Sequence, residues 1–164
     1  MAGKKKTKKP KGPQEHRSIA KNRKARHDFQ IIEEMEVGIS LLGTEVKSLR
    51  GGECSLQEAF IRLRDGELHL MRAHIPEYTF GNSQNHEVLR PRKLLAHRKE
   101  ITKWEKGFKE QGTTIIPLEI YFFKSRVKLH IALVRGKKSY DKRADLKTAQ
   151  DKRAIDRAFA RRDR

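Results

Sequence analysis

Alternation of apolar and polar positions predicts a β-hairpin in the last third of the folded part of the chain. The two strands are joined at Lys124-Ser125, and side chains two apart on a strand share a face. The predicted apolar face consists of Ile116, Leu118, Ile120 and Phe122 on the first strand and Val127, Leu129, Ile131 and Leu133 on the second.

The same period predicts three further strands. Residues 59–64 and 67–73 flank Asp65-Gly66, which is typical of a two-residue hairpin turn. Residues 28–38 form an earlier strand, with an odd-numbered face of Phe29, Ile31, Met35 and Val37.

Helical spacing is found in two places. Residues 45–50 predict a short helix with Thr44 as its N-cap and Gly51-Gly52 as its end. After a polar loop over 76–92, residues 91–106 predict a second helix, whose apolar side consists of Leu94, Leu95, Ile101 and Trp104.

Short strands with two small helices predict a mostly β fold, a small closed or partly open barrel. We expect three regions: a disordered Lys-rich arm over 1–18, the barrel domain over 19–135 and a basic tail over 136–164. The tail contains no Gly or Pro after residue 136, so we expect it to be disordered when free and helical on its target.

The charge is concentrated at the two ends of the 164-residue chain, whose net charge is +18. Residues 1–30 hold eleven basic and two acidic side chains, and residues 135–164 hold twelve and five. Nucleic acid is the partner that such arms favour most, because neutralised phosphates release counterions. An anionic membrane is a weaker interpretation because neither arm has a broad apolar face, and an acidic protein stays open.

The composition also indicates in which cellular compartment the protein is expected. The apolar fraction is 35%, no run of about 20 apolar residues is present, and no apolar stretch follows the basic N-terminus. We therefore expect neither a membrane span nor a secretory signal. Cys54 is the single cysteine, so a reducing, cytoplasmic setting is expected.

Signatures of catalysis are largely missing from the sequence. There is no Gly-rich phosphate loop, and no histidine pair has metal-ligand spacing with Cys54. Glu33, Glu34 and Glu36 could hold Mg²⁺ in a nuclease, but strand alternation would send Glu33 to the opposite face. A solvated strand face is favoured, so we expect no enzyme activity, no cofactor and no metal.

Two basic clusters suit RNA. Residues 22–26 combine an amide with guanidinium groups, which matches base-edge and phosphate contacts. Residues 90–93 place cations at the start of the predicted second helix, where the helix dipole disfavours them. A phosphate bound there would relieve that conflict, so this start is a predicted phosphate contact.

Four blocks, in order and at compatible spacing, together resemble the small protein B family, the SsrA-binding proteins of bacterial trans-translation. The resemblance covers about residues 18–145, and its blocks are 19–27 (IAKNRKARH), 43–50 (GTEVKSLR), 90–95 (RPRKLL) and 136–143 (GKKSYDKR). Phe29 departs from the family pattern, in which Tyr is frequent, and Ala96 interrupts a usual Leu run.

The resemblance implies an oligonucleotide-binding (OB-type) barrel with flanking helices. The implied partners are transfer-messenger RNA, gripped at its tRNA-like end, and stalled ribosomes, to which the RNA is delivered. The tail would enter the empty message channel beyond the decoding centre. Elongation factor Tu and alanyl-tRNA synthetase would be indirect partners through the RNA, and the protein would act as a monomer.

The resemblance ties Asn22, Glu36 and Leu95 to RNA binding, and the other candidate site residues lie in the matching blocks and in the basic clusters. The predicted RNA-binding residues are Asn22, Arg23, Lys24, Glu36, Glu45, Lys47, Arg50, Arg92, Lys93 and Leu95. The predicted ribosome-interacting residues of the tail are Gly136, Lys137, Lys138, Tyr140, Asp141, Lys142 and Arg143, with Ile155 and Phe159 added on their helical spacing.

Alternatives remain open at this level. Glu36 could order basic neighbours rather than contact RNA, and Leu95 could belong to the core. The charge pattern equally fits a structural ribosomal protein or a general OB-type RNA-binding protein.

Overall fold

The computed structural model describes residues 16–81, 85–108 and 110–137. In chain order the elements are β1 (His16–Lys21), α1 (Ala25–Asp28), β2 (Phe29–Ile39), α2 (Gly43–Gly51), β3 (Phe60–Arg64), β4 (Glu67–Met71), β5 (Arg92–Leu95), α3 (Arg98–Phe108), β6 (Thr113–Phe123) and β7 (Arg126–Gly136).

The strands form one antiparallel sheet that closes on itself. Its order is β1-β6-β3-β4-β5-β2-β7, and β7 pairs again with β6, so that six strands form a ring and β1 lies outside it on β6. The prediction of a mostly β, OB-type barrel with short flanking helices is confirmed. None of the helices in the described ranges is long and apolar enough to cross a membrane.

The predicted turns and the end of α2 are confirmed. Asp65 and Gly66 both have positive φ (52° and 73°), as a type I′ hairpin turn requires. Lys124-Ser125 connects β6 to β7. Gly52 ends α2 in the left-handed region, with φ at 87°, and its N–H donates to the Leu49 carbonyl.

Two bulges divide the apolar residues of β2 and β6 between two cores. In β2 the pairing with β7 skips Ile32, and in β6 it skips Leu118. A bulge adds one unpaired residue, so side chains before and after it change faces. Phe29 and Ile31 therefore pack in a small outer cluster, whereas Val37 packs in the ring's main core.

The single apolar face predicted for β6 is corrected for the same reason. Ile116 and Leu118 belong to the outer cluster with Ala25 of α1, whereas Ile120 and Phe122 belong to the main core. The regular β7 keeps its predicted face: Leu129, Ile131 and Leu133 are buried in the main core and Val127 packs against it.

The predicted second helix begins too early. Residues 92–95 are strand β5, in which buried Arg92 and Leu94 alternate with exposed Lys93 and Leu95. Helix α3 begins only at Arg98 and buries Ile101 and Trp104, as expected. The predicted phosphate contact at a helix start over 90–93 therefore loses its structural basis.

Two smaller predictions also change. Leu42, not Thr44, is the N-cap of α2, and its N–H donates a hydrogen bond to the Glu45 carboxylate at 2.7 Å. No element was predicted before residue 28, but β1 and most of α1 lie there, and β1 includes residues 16–18, which were assigned to the disordered arm.

Candidate nucleic-acid interface

A buried ion cluster ties α2 to β5 and to the loop before it. Glu45 of α2 and Arg92 of β5 are both 0% exposed, and their Oε1 and Nε atoms lie 2.7 Å apart. Arg90 donates from Nε and Nη2 to the same carboxylate, at 2.9 and 2.6 Å. The remaining donors of Arg92 reach carbonyls of Ala73, Val88 and Arg90. Both charges are therefore buried with their hydrogen-bonding capacity largely used.

The cluster changes the acidity of its carboxylate. Burial alone raises the pKa of Glu45, but hydrogen bonds from Arg90, from the Leu42 N–H and from Arg92 outweigh it and hold the pKa below its usual value. Glu45 and Arg92 were both predicted to contact RNA. The structure gives them no exposed surface, so any effect on RNA would pass through the elements that they hold together.

Three of the predicted RNA-binding residues line one groove. Glu36 of β2 and Lys93 and Leu95 of β5 meet there with Arg98 and Ile101 of α3, around a space of about 620 Å³. Leu95 is 53% exposed, which excludes the alternative that it is a core residue. Lys93 Nζ lies 2.5 Å from Glu67 Oε1, and this contact lowers the pKa of Glu67.

Glu36 is engaged by its own sheet. Its carboxylate accepts hydrogen bonds from the hydroxyl of Tyr121 on β6 and from the ammonium group of Lys128 on β7. Tyr121 is buried, whereas the Glu36 side chain is about half exposed. This arrangement matches the alternative in which Glu36 orders a basic neighbour.

The N-terminal block forms a corner between β1 and α1. The Asn22 N–H donates to the Leu118 carbonyl of β6, and its Oδ1 accepts from the Ala25 N–H. Asn22, Arg23 and Lys24 line a hollow together with Gln57. Arg23 and Lys24 are exposed, so the structure brings the three predicted residues of this block together on one surface.

The base of the tail meets the same corner. The Lys137 N–H donates to the Asp28 carbonyl at 3.1 Å, and Lys137 Nζ donates to the Arg26 carbonyl at 3.0 Å. Gly136 pairs with Phe29 at the end of β7. The other predicted tail residues lie outside the described residues: Lys138, Tyr140, Asp141, Lys142, Arg143, Ile155 and Phe159.

The exposed side of α2 presents Lys47 and Arg50. The Arg50 carbonyl accepts a hydrogen bond from Arg17 Nη2 at 3.1 Å, and both arginines line a hollow with Lys124 and Phe122. Arg17 and Lys124 were not predicted. No signal in the sequence pairs them with Arg50, because the three residues lie on β1, α2 and the β6–β7 turn.

The acidic run on β2 is divided as alternation predicts. Glu33 binds Lys103 of α3 at 2.5 Å, which lowers the pKa of Glu33, whereas Glu34 binds Arg26 and His130. Among the described residues, no three His, Cys, Asp or Glu side chains are grouped to hold a metal ion.

Cys54 is largely shielded from solvent. Burial raises the pKa of its thiol to about 11, despite the charge of Arg92. The thiol is therefore protonated near neutral pH and is a weak nucleophile.

An aromatic pair in the loop between β4 and β5 was missed. Tyr78 and Phe80 stand close together, and Phe80 is 79% exposed. The signal was present in the sequence, since both rings lie between Pro76 and Gly81 in an otherwise polar segment.

Comparisons with known proteins give one consistent result. The sequence profile described as SmpB protein matches residues 19–161. An SsrA-binding protein from Thermobifida fusca is 50% identical over 99% of both chains, and one from Kineococcus radiotolerans is 52% identical over 88% of this chain and 92% of its own.

A solved structure gives the same result. It is described as "tmRNA-SmpB: a journey to the center of the bacterial ribosome" and has a TM-score of 0.63 and 43% identity. The match covers 73% of this chain and 85% of that one.

Proposed function

Because the chain belongs to the SmpB protein family, we propose that it binds transfer-messenger RNA (SsrA RNA) and delivers it to stalled ribosomes for trans-translation. The observation that carries this proposal is the 50% identity to an SsrA-binding protein over 99% of both chains. The description of the similar solved structure names tmRNA, SmpB and the bacterial ribosome, which supports the same partners.

The body is proposed to hold the RNA. Two exposed surfaces support this division: the groove of Glu36, Lys93 and Leu95, and the corner of residues 22–24. Lys47 and Arg50 add positive charge on α2. In this proposal Lys93 contacts phosphate, Leu95 contacts a base or sugar, and Glu36 positions Lys128 rather than touching the RNA.

The tail is proposed to act on the ribosome. Residues 136–164 would leave the corner beside α1, enter the empty message channel beyond the decoding centre and become helical there. The residues before β1 would add nonspecific attraction to RNA, because six lysines lie among the first eleven residues.

We further propose that the protein is a monomeric, non-enzymatic adaptor in the cytoplasm. Elongation factor Tu and alanyl-tRNA synthetase would meet it only through the shared RNA. The raised pKa of Cys54 and the engagement of Glu33, Glu34 and Glu36 by basic partners support an adaptor over a nuclease.

Selective binding tests the first part. The full chain should bind the tRNA-like part of transfer-messenger RNA much more tightly than an unrelated structured RNA of equal length at the same salt concentration. Comparable affinities would contradict the proposal, because electrostatic attraction alone would then account for binding.

Truncation tests the division between body and tail. A chain that ends at Lys137 keeps the hydrogen bonds to Arg26 and Asp28. It should keep RNA affinity within about threefold, because in this proposal the body holds the RNA, and it should lose peptide tagging on stalled ribosomes. Loss of RNA binding together with tagging would show that the tail is part of the RNA site.

A further inference from the structure

The loop between β4 and β5 holds two aromatic rings at the surface. Tyr78 and Phe80 meet edge to face, with ring centroids 5.6 Å apart and planes at 64°. Phe80 is 79% exposed, more than any other large apolar side chain that the structure describes. Lys47 Nζ of α2 lies 5.3 Å from the centroid of the Tyr78 ring. The cluster thus combines an open ring face with a cation.

Hydrogen bonds fix the turn that carries the rings. The Tyr78 N–H donates to Asn85 Oδ1, and Asn85 Nδ2 donates back to the Tyr78 carbonyl, both at 2.9 Å. The Gly81 N–H donates to the same carbonyl at 2.8 Å. A Cβ on Gly81 would come within 2.6 Å of Asn85 Oδ1, so any other residue there would displace the Asn85 side chain that closes the turn.

The loop is also fastened to α2 at both ends. Ser48 Oγ donates to the Pro76 carbonyl at 2.7 Å. His86, which is 4% exposed, donates from Nε2 to the Ile75 carbonyl, and its Nδ1 lies 3.0 Å from the Thr44 hydroxyl. These contacts hold the aromatic pair beside the exposed side of α2, where Lys47 lies.

We propose that Phe80, backed by Tyr78, stacks on one unstacked base of the RNA partner, with Lys47 on an adjacent phosphate. Here the exposed ring is backed by a second ring and lies near a cation, which together offer a flat apolar face and a positive charge to one partner. A base fits it best, because RNA-binding proteins stack unpaired bases on aromatic rings and balance the backbone charge with nearby cations. The inference rests on the proposed function and adds a contact to it.

Substitutions of Phe80 in the full chain test the stacking. Phe80→Ala should weaken binding of the tRNA-like RNA by about tenfold, and Phe80→Leu nearly as much, because leucine is apolar but has no ring to stack. Phe80→Trp should bind like the unchanged protein. Leu89→Ala is the matched control, since Leu89 is 49% exposed in the same loop and has no ring.

The Phe80→Trp variant supplies a direct signal. Trp104 is 2% exposed, so its fluorescence is a constant background measured in the unchanged chain. Stacking of a base on the introduced indole ring should quench the added fluorescence when RNA binds, and no quenching would overturn the proposal. The proposal would also be overturned if Phe80→Leu bound the RNA as tightly as the unchanged chain. That result would indicate an apolar protein partner.

Lys47 is tested by salt dependence. Lys47→Gln should reduce the slope of log affinity against log salt by about one, as the loss of a single phosphate contact predicts. An unchanged slope would remove Lys47 from the proposed site.

Failure of the inference and failure of the proposed function are distinguishable. If the unchanged chain discriminates the tRNA-like RNA and Phe80→Ala binds equally well, only the stacking inference fails. If the unchanged chain does not discriminate between RNAs, the proposed function fails whatever Phe80 does.

Discussion

Two carboxylates that were both predicted to serve RNA binding have opposite surroundings. Glu45 is 0% exposed and holds two arginines, whereas the side chain of Glu36 is 47% exposed and holds Tyr121 and Lys128 beside an open groove. The first joins α2 to β5 inside the protein. The second lies where a partner can reach its neighbours.

The same division between buried and exposed residues is found in the motifs on β5 and α2. On β5, Arg92 and Leu94 are buried, whereas Lys93 and Leu95 face out. On α2, Glu45, Ser48 and Leu49 are buried, and Lys47 and Arg50 are exposed. A motif that is predicted to bind RNA therefore contains two kinds of residue: buried residues that hold the surface in place, and exposed residues that a partner can contact.

The largest effect is expected from breaking the buried cluster. Glu45→Gln leaves Arg92 charged and buried, so the free energy of unfolding should fall by about 3–5 kcal/mol, measured by urea denaturation. Glu67→Gln is the control, because it removes an exposed partner of Lys93 and should change stability little. Equal losses in the two variants would contradict the comparison.

The pH dependence of stability sharpens the same point. The pKa of Glu45 is lowered by folding, so its contribution is complete above the usual value of 4.5 and is lost as pH falls through the folded-state pKa. The stability gap between the unchanged chain and Glu45→Gln should therefore be largest near pH 7 and narrow at pH 3. A gap that is constant over this range would show that the carboxylate charge contributes nothing.

A substitution in the groove should change the affinity for RNA but not the free energy of unfolding. Leu95→Ala should weaken binding of the tRNA-like RNA by about tenfold and change the free energy of unfolding by less than about 0.5 kcal/mol. Ile32→Ala is a matched control, since Ile32 is also an exposed aliphatic residue on the sheet (49%) but is not among the residues lining the groove. Equal affinity of the two variants would exclude Leu95 from the interface.

The smallest effect is expected from the hydroxyl that positions Glu36. Tyr121→Phe removes one hydrogen bond to the carboxylate and should weaken RNA binding by about two- to fivefold. If Glu36 acts by positioning, Tyr121→Phe and Glu36→Gln should not be additive when combined. A large loss in Glu36→Gln with none in Tyr121→Phe would indicate direct contact between Glu36 and RNA.

Local patterns predicted the hairpins, the β7 face and the end of α2 because each depends on neighbouring residues. Strand β5 was missed because its inward side begins with an arginine. Its partner, Glu45, lies 47 positions away in the sequence, and a charged residue beside Pro91 resembles a helix start as long as that pairing is unknown.

The bulges set a second limit. Period-2 reading of β2 and β6 assumes one face along the whole strand, but the extra residues at Ile32 and Leu118 exchange the faces midway. Pro117, next to the β6 bulge, has no N–H for the strand pairing. A proline inside a predicted strand is typical of a bulge, so this residue indicated the irregularity in the sequence. At the site, sequence motifs named exposed and buried residues alike, because a motif does not record burial.

The contacts of Lys137 have a consequence for how substitutions in α1 behave. Two carbonyls of the short segment 25–28 fix both the backbone and the side chain of the last described residue. A change that displaces this segment would move Lys137 as well as the neighbouring basic corner. The position of α1 therefore sets the positions of both Lys137 and the basic corner. A single shift of α1 would change the distance between the partners that these two surfaces bind.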